Sequence, residues 1–173
     1  MSDDVRLRPV EEADLAVLDR FKREPDATGP LEWYGWRNLD YYRKGWADNK
    51  LLSDERGLLM VVRGAEPLGM VSWRKAMVTT LSHCWEIGIG LLPEARGKGY
   101  GTEAQRLIVR YLFAHSTVSR VQATTNIDNV AEQRSLEKVG FTREGVLRCV
   151  AFQNGRWQDG LLYSILRDEV PLG

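Results

Sequence analysis

The chain has 173 residues, 43% of them hydrophobic and 28% charged, with a formal net charge of zero. That size and balance suit one domain, residues 1–173, which buries a core without disulfides or metal. The charge balance argues against nucleic acid and membrane surfaces as partners, and the longest apolar runs are too short to span a bilayer. The opening Met1-Ser2-Asp3-Asp4 lacks the apolar stretch of a secretory leader, so a cytoplasmic location is expected.

In chain order, Val5 to Pro9 alternates and predicts a first strand. Glu11 to Phe21, with Leu15 and Leu18 on one stripe, predicts a helix, and the breakers of Glu24 to Pro30 predict a loop. Residues 31–46 hold Trp33, Tyr34, Trp36, Tyr41, Tyr42 and Trp46, with a helix expected over Leu39 to Asp48. Gly57 to Arg63 and Leu68 to Arg74 read as a hairpin about the turn Gly64 to Pro67. Ser82 to Leu92 is a long strand, Pro93 to Lys98 a loop, and Gly99 to Ala114 a helix. The apolar stripe of that helix is Ala104, Leu107, Ile108, Tyr111 and Leu112. Arg120 to Asn126 is a strand. A helix capped by Asp128 or Asn129 follows and ends at Gly140. Cys149 to Phe152 and Leu161 to Leu166 flank an Asn154-Gly155 turn. This order predicts a mixed α/β sheet, not a doubly wound one. Cys84 and Cys149 read as reduced thiols, and adjacent His83 and Cys84 point to opposite strand faces, so no metal site is expected.

The strongest chemical feature is Leu91 to Thr102, LLPEARGKGYGT. A strand ends, a glycine-rich loop turns and a helix begins. Unpaired N–H groups at the helix start, glycines that admit a ligand close to the backbone, and the cations Arg96 and Lys98 together make an anion cradle suited to a pyrophosphate. A Walker loop needs Gly-Lys-Ser/Thr after a four-residue gap, where this chain has Gly97-Lys98-Gly99. Gly99 to Ala104 does satisfy a dinucleotide fingerprint. However, the acid required at the end of the next strand is Asn126 here, and the second alternating half is missing.

Arg96-x-x-Gly99-x-Gly101 resembles the Q/R-x-x-G-x-G/A signature of GNAT acetyltransferases. Trp85 to Leu91, Asn126 to Asn129, Glu137 to Phe141 and the final hairpin are similar to the branch that includes ribosomal-protein N-terminal acetyltransferases. The resemblance covers about residues 5–168. It implies an acyl-CoA N-acyltransferase fold, with a mostly antiparallel sheet of six to seven strands and about four helices. It also implies acetyl-CoA as donor and an amine as acceptor. Exposed strand edges in the last hairpin would permit a dimer, so a monomer or homodimer is expected. By the same resemblance, the backbone N–H groups of Gly97, Lys98, Gly99, Tyr100, Gly101 and Thr102 would hold the pyrophosphate, with Arg96 a further cofactor-binding residue. Ile89, Leu91 and Leu92 would pair with the pantetheine, which Asn126 and Asn129 would flank.

Acetyl transfer to an amine requires a neutral amine, a polarised carbonyl and a proton for the leaving thiolate. Alternation puts Trp85, Ile87, Ile89 and Leu91 on one strand face and Glu86, Gly88 and Gly90 on the other. Glu86 beside two glycines is the candidate proton acceptor; the alternative is a strand glutamate bonded to a neighbouring backbone group or arginine. Many GNAT enzymes donate from a tyrosine in the helix before the Gly-Phe pair, where Leu136 stands here. The branch's serine is here Glu132. Ser135 and Tyr163 are the hydroxyl candidates, with packing the alternative for Ser135. Trp33, Tyr34, Trp36 and Trp157 are candidates for the acceptor pocket, with helix packing the alternative. A non-catalytic acyl-CoA sensor and transfer of a longer acyl chain or to oxygen stay open.

Overall fold

The computed structural model describes residues 4–171, so the opening Met1-Ser2-Asp3 lies outside it. One seven-stranded sheet organises the chain. Its strands are β1 (Val5–Pro9), β2 (Arg56–Arg63), β3 (Glu66–Met77), β4 (His83–Leu91), β5 (Arg120–Asn126), β6 (Thr142–Gln153) and β7 (Arg156–Leu166). They lie in the order β1-β2-β3-β4-β5-β7-β6. Every neighbouring pair is antiparallel except β4 and β5. The helices are α1 (Leu15–Arg23), α2 (Pro25–Thr28), α3 (Tyr41–Asn49), α4 (Tyr100–His115) and α5 (Val130–Val139).

Strand alternation sorts the side chains into two cores. On one face Leu59, Val61, Trp85 and Ile87 are buried with Ala104, Ile108 and Leu112 of α4 and Leu136 of α5. On the other, Leu58, Met60 and Val62 are buried with Leu15 and Leu18 of α1 and Tyr42 of α3. A fully buried aliphatic side chain contributes about 1.5–3 kcal/mol, so these two stripes hold the helices to the sheet. The C-terminal end of α4 is tied down by Arg167, whose guanidinium donates to the carbonyls of Phe113 (2.8 Å) and Val118. A cation there also meets the negative end of the helix dipole.

The expected elements form, with differences at their ends. The segment expected as a loop at Glu24 to Pro30 contains a single helical turn, α2, because Pro25 stands at its first position and Gly29 (φ 93°) ends it. This raises the helix count to five. The hairpin strands β3, β6 and β7 run longer than the apolar pattern suggests, since antiparallel pairing carries polar residues such as Thr142 and Arg156 along. The Asn154-Gly155 turn has both residues at positive φ, 51° and 78°, as a two-residue hairpin requires. Among the described residues no helix is long and apolar enough to cross a membrane. Cys84 is buried and Cys149 exposed, both as free thiols.

Ile108 is fully buried in the α4 stripe. Ile108→Ala is expected to lower unfolding free energy by about 2–5 kcal/mol with an unchanged denaturant slope, read from urea titration.

Candidate active site

The site is built where β4 and β5 part. The two strands pair at only Trp85↔Val121 and Glu86↔Gln122. Beyond that step β4 stays bound to β3 as far as Leu91, and β5 to β7 as far as Asn126. Their facing edges therefore diverge without partners in the middle of a sheet. Buried backbone groups need partners, so this opening suits a strand-like chain of amides. At its wide end β4 runs into the glycine loop and α4.

Gly97 and Gly99 both have positive φ, 73° and 82°, and Gly99 is the N-cap of α4. No side chain caps this helix. Among the described residues no chain group accepts from the N–H groups of residues 97–102; the first capping bond is Glu103 N–H to Gly99 C=O. A Cβ added at Gly97 or Gly99 would meet nothing within 4 Å, so space lies open beside these donors. Free N–H groups at a helix start fit an anion such as a pyrophosphate. At Gly101 a Cβ would lie 3.4 Å from Leu91 and 3.7 Å from Ile89, which shows how closely α4 sits on β4.

The arginine that opens the motif faces away from this cradle. Arg96 donates to the carbonyls of Leu91 (3.0 Å) and Ala27, joining the loop to α2. Its charge is used on backbone carbonyls, whereas the neighbouring cation Lys98 is exposed without such a bond among the described residues. Tyr100 accepts from Arg63 through its hydroxyl. Leu92 is buried.

A hydrogen-bonded chain runs from the loop across α4 and α5. Ser135 Oγ donates to Gln105 Oε1 (2.7 Å), so the 2.9 Å contact between Thr102 and Ser135 has Thr102 as donor. Gln105 in turn donates to Glu132 Oε1. Asn129 Oδ1 accepts from the Glu132 N–H, which is the expected N-cap, and its Nδ2 has no partner among the described residues. Asn126 is engaged internally: it donates to Gln158 and accepts from the Asp128 N–H.

Glu132 is the residue that sequence reasoning passed over. Its carboxyl sits half-buried at the start of α5, where burial pushes its pKa up to about 7, against the opposing Gln105 bond; the Glu32 charge adds to the rise. Burial also raises the Glu32 carboxyl. The one available signal was a long acid at the position where the branch carries serine.

Glu86 stands at the last paired step of β4 and β5. It accepts from Arg74 (2.9 Å) and Gln122 (3.2 Å) and is 18% exposed. This is the arginine-bonded arrangement. Gly88 and Gly90 follow it on the same face, as alternation requires. Tyr163 is fully buried on β7 and donates to Glu137 (3.1 Å); no bond joins it to the Thr102–Glu132 chain.

The candidate acceptor aromatics divide. Trp33 and Trp36 meet edge-on at 5.8 Å, and Trp36 donates to the Arg23 carbonyl while remaining 70% exposed. Tyr34 is exposed. Trp157 instead meets Phe152 at 5.4 Å. Gln153 links the two groups by donating to the carbonyls of Pro30 and Trp33. Tyr42 and Trp46 serve packing: Tyr42 is buried, and Trp46 donates to the Val10 carbonyl.

These features are shared with known proteins. Residues 4–142 match the acetyltransferase (GNAT) domain family. The uncharacterised N-acetyltransferase p20 of Bacillus licheniformis is 31% identical over 167 residues, covering 94% of this chain and 93% of that one. The chain spans about half the length, 46–51%, of several Bacillus subtilis (strain 168) N-acetyltransferases that it matches. Spermidine N-acetyltransferase from Vibrio cholerae, solved with CoA and spermine, superposes with a TM-score of 0.81 at 21% identity, over 97% of this chain and 98% of that one. Ribosomal-protein-alanine N-acetyltransferase from Brucella melitensis does so with a TM-score of 0.79 at 23% identity, over 93% and 99%. The chain belongs to the GNAT acetyltransferase family, whose acetyl donor is acetyl-CoA.

The raised Glu132 pKa has a definite sign in stability. Folded, the carboxyl keeps its proton up to about pH 7; unfolded, it releases it near the ordinary 4.5. Between those values the folded state binds the extra proton, so this contribution falls as pH rises and is gone above about pH 7. Glu132→Gln is expected to flatten the fall of Tm between pH 5 and 8 and to raise Tm at pH 8, as read by thermal melts.

Proposed function

We propose that the protein is an acetyl-CoA-dependent N-acetyltransferase that moves the acetyl group directly to a primary amine while both substrates are bound, in the cytoplasm, as a monomer or homodimer. The observation that carries this reading is the run of unpartnered N–H groups at residues 97–102 opening onto the unpaired edges of β4 and β5. Acetyl-CoA supplies an activated acetyl group and a thiol leaving group.

The chain's own residues then divide the work. The N–H groups of residues 97–102 bind the pyrophosphate. The β4 edge from Ile89 to Leu92 and the free amide of Asn129 align the arm that leads to the thioester. Glu86, at the point where the strands part, faces the amine and accepts its proton, directly or through water. Its bonds to Arg74 and Gln122 hold it in place. An α-amino group (pKa about 8) needs less help losing its proton than a lysine (about 10.4).

For the leaving thiolate, what favours Glu132 over the two hydroxyls is proton supply. The Ser135 proton is committed to Gln105 and that of Tyr163 to Glu137, whereas a carboxyl with a pKa near 7 is still partly protonated at neutral pH. The positions of Trp33, Tyr34 and Trp36 beside the hairpin tip support a role at the rim of the acceptor site.

A sensor that binds CoA without turnover is separated by thiol release from acetyl-CoA over a panel of primary amines. The transferase reading expects amine-dependent release. It expects Glu86→Gln and Glu132→Gln each to lower kcat by about 100-fold or more, with Ser135→Ala and Tyr163→Phe within about threefold of the parent. CoA binding with no release above background for any amine would establish the sensor instead.

A further inference from the structure

We propose that the cavity between α3, the segment after it and β3 seats the acceptor, and that this acceptor is an amine flanked by carboxylates, as at the N-terminus of an acidic peptide. The placement of the amine rests on the transferase reading above; the charge of the cavity does not.

The cavity encloses about 1110 Å³, at the upper end of what small-molecule sites use and more than a lone amino acid fills. Its floor is Met70, Ser72 and Arg74 of β3. In the sheet these residues lie opposite Gly90, Gly88 and Glu86 of β4, in that order. The cavity thus adjoins the glycine face of the strand whose other edge is left unpaired beyond Glu86. A Cβ on Gly88 would come within 3.1 Å of Ser72 Oγ. At Gly90 a Cβ would come within 3.3 Å of Phe21 and 3.4 Å of Met70, so β4 packs closely on the cavity's β3 side. Arg74 spans the two, lining the cavity and bonding Glu86.

The wall chemistry selects charge. Five cations line the space against two carboxylates, Asp48 and Glu55, in a chain whose formal net charge is zero. Glu55 is neutralised by Lys75 (3.1 Å). Lys22 lies over the rings of Tyr41 and Tyr42, 5.0 and 5.2 Å from their centres, and Arg56 donates to the Tyr41 hydroxyl. Among the described residues no carboxylate pairs with Lys22, Lys44 or Arg56. Lys22 is half-buried against the two tyrosines, while Lys44 and Arg56 are exposed; together these cations attract carboxylates and repel a polycation.

The test is acetyl transfer to Ser-Glu-Glu-Glu, Ser-Gln-Gln-Gln and Ser-Lys-Lys-Lys, with free glutamate and spermidine alongside. The expected kcat/KM falls at least 10-fold from the acidic to the neutral peptide and further to the basic one. The gap narrows as salt rises from 0.05 to 0.5 M. A Lys22→Glu/Lys44→Glu double variant that still binds CoA compresses the ranking at least 10-fold. Glutamate matching the acidic peptide would assign a small acidic amine; glutamate far below it assigns a peptide. Equal rates for all three peptides, or preference for the basic peptide or spermidine, would overturn the proposal. If nothing is acetylated, the transferase reading fails and the cavity is judged by peptide titration of the CoA-loaded protein followed by tryptophan fluorescence. Binding of the acidic peptide that the double variant loses upholds the assignment, and no acidic binding ends it.

Discussion

The parting of β4 and β5 is the constraint on which the site depends. Each strand is locked on its outer side by an antiparallel neighbour, β3 for one and β7 for the other, over its whole length. They share just two parallel pairs, and neither can turn back to close the gap without giving up those outer ladders. An unpaired edge inside a sheet is expensive unless something completes it. The fold accepts it here because both helices that cover this face start at the wide end of the gap. α4 begins where β4 ends, through the Gly97–Gly99 turn, and α5 begins just beyond β5, capped by Asn129. The positive ends of the two helices therefore converge on one opening. A ligand carrying both phosphates and amides satisfies the helix starts and the strand edge together.

Strand alternation gives that opening two unlike sides. Trp85 and Ile87 are buried under α4, and they fix the position of the loop through the packing of the helix. Glu86, Gly88 and Gly90 lie on the other side, where a side chain on Gly88 would press on Ser72 and one on Gly90 on Phe21 of α1 and Met70 of β3. The proposed donor and acceptor sites then lie on opposite sides of one strand, with Glu86 at the last step where β4 and β5 pair.

Most of the fold was legible because it rests on local signals. The alternation in Val5 to Pro9, the stripe Ala104–Ile108–Leu112, the Asn129 cap and Gly140 all act within a few residues of themselves. The glycine turn into α4 was legible for the same reason. What was not legible depends on partners distant in the chain. The Arg96 side chain joins α2 because the carbonyl of Ala27, sixty-nine residues away, is unsatisfied there. Ser135 reads as a free hydroxyl until Gln105 and Thr102 close on it from α4. Glu132 acquires its raised pKa from burial against Gln105, with the Glu32 charge adding to it, and α4 and the early loop bring those two residues from different parts of the chain. The cavity cations come from α1, α3, β2 and β3, and their sum is invisible in a chain whose net charge is zero.

The central claim is that the helix start and the open strand edge together hold the CoA moiety. Amide hydrogen exchange with and without CoA tests it most directly. The account predicts slowed exchange at the amides of residues 97–102 and along β4 from 87 to 91, with β1 and β6 unaffected. Binding of CoA without protection at residues 97–102, or protection confined to the α3 cavity, would contradict it.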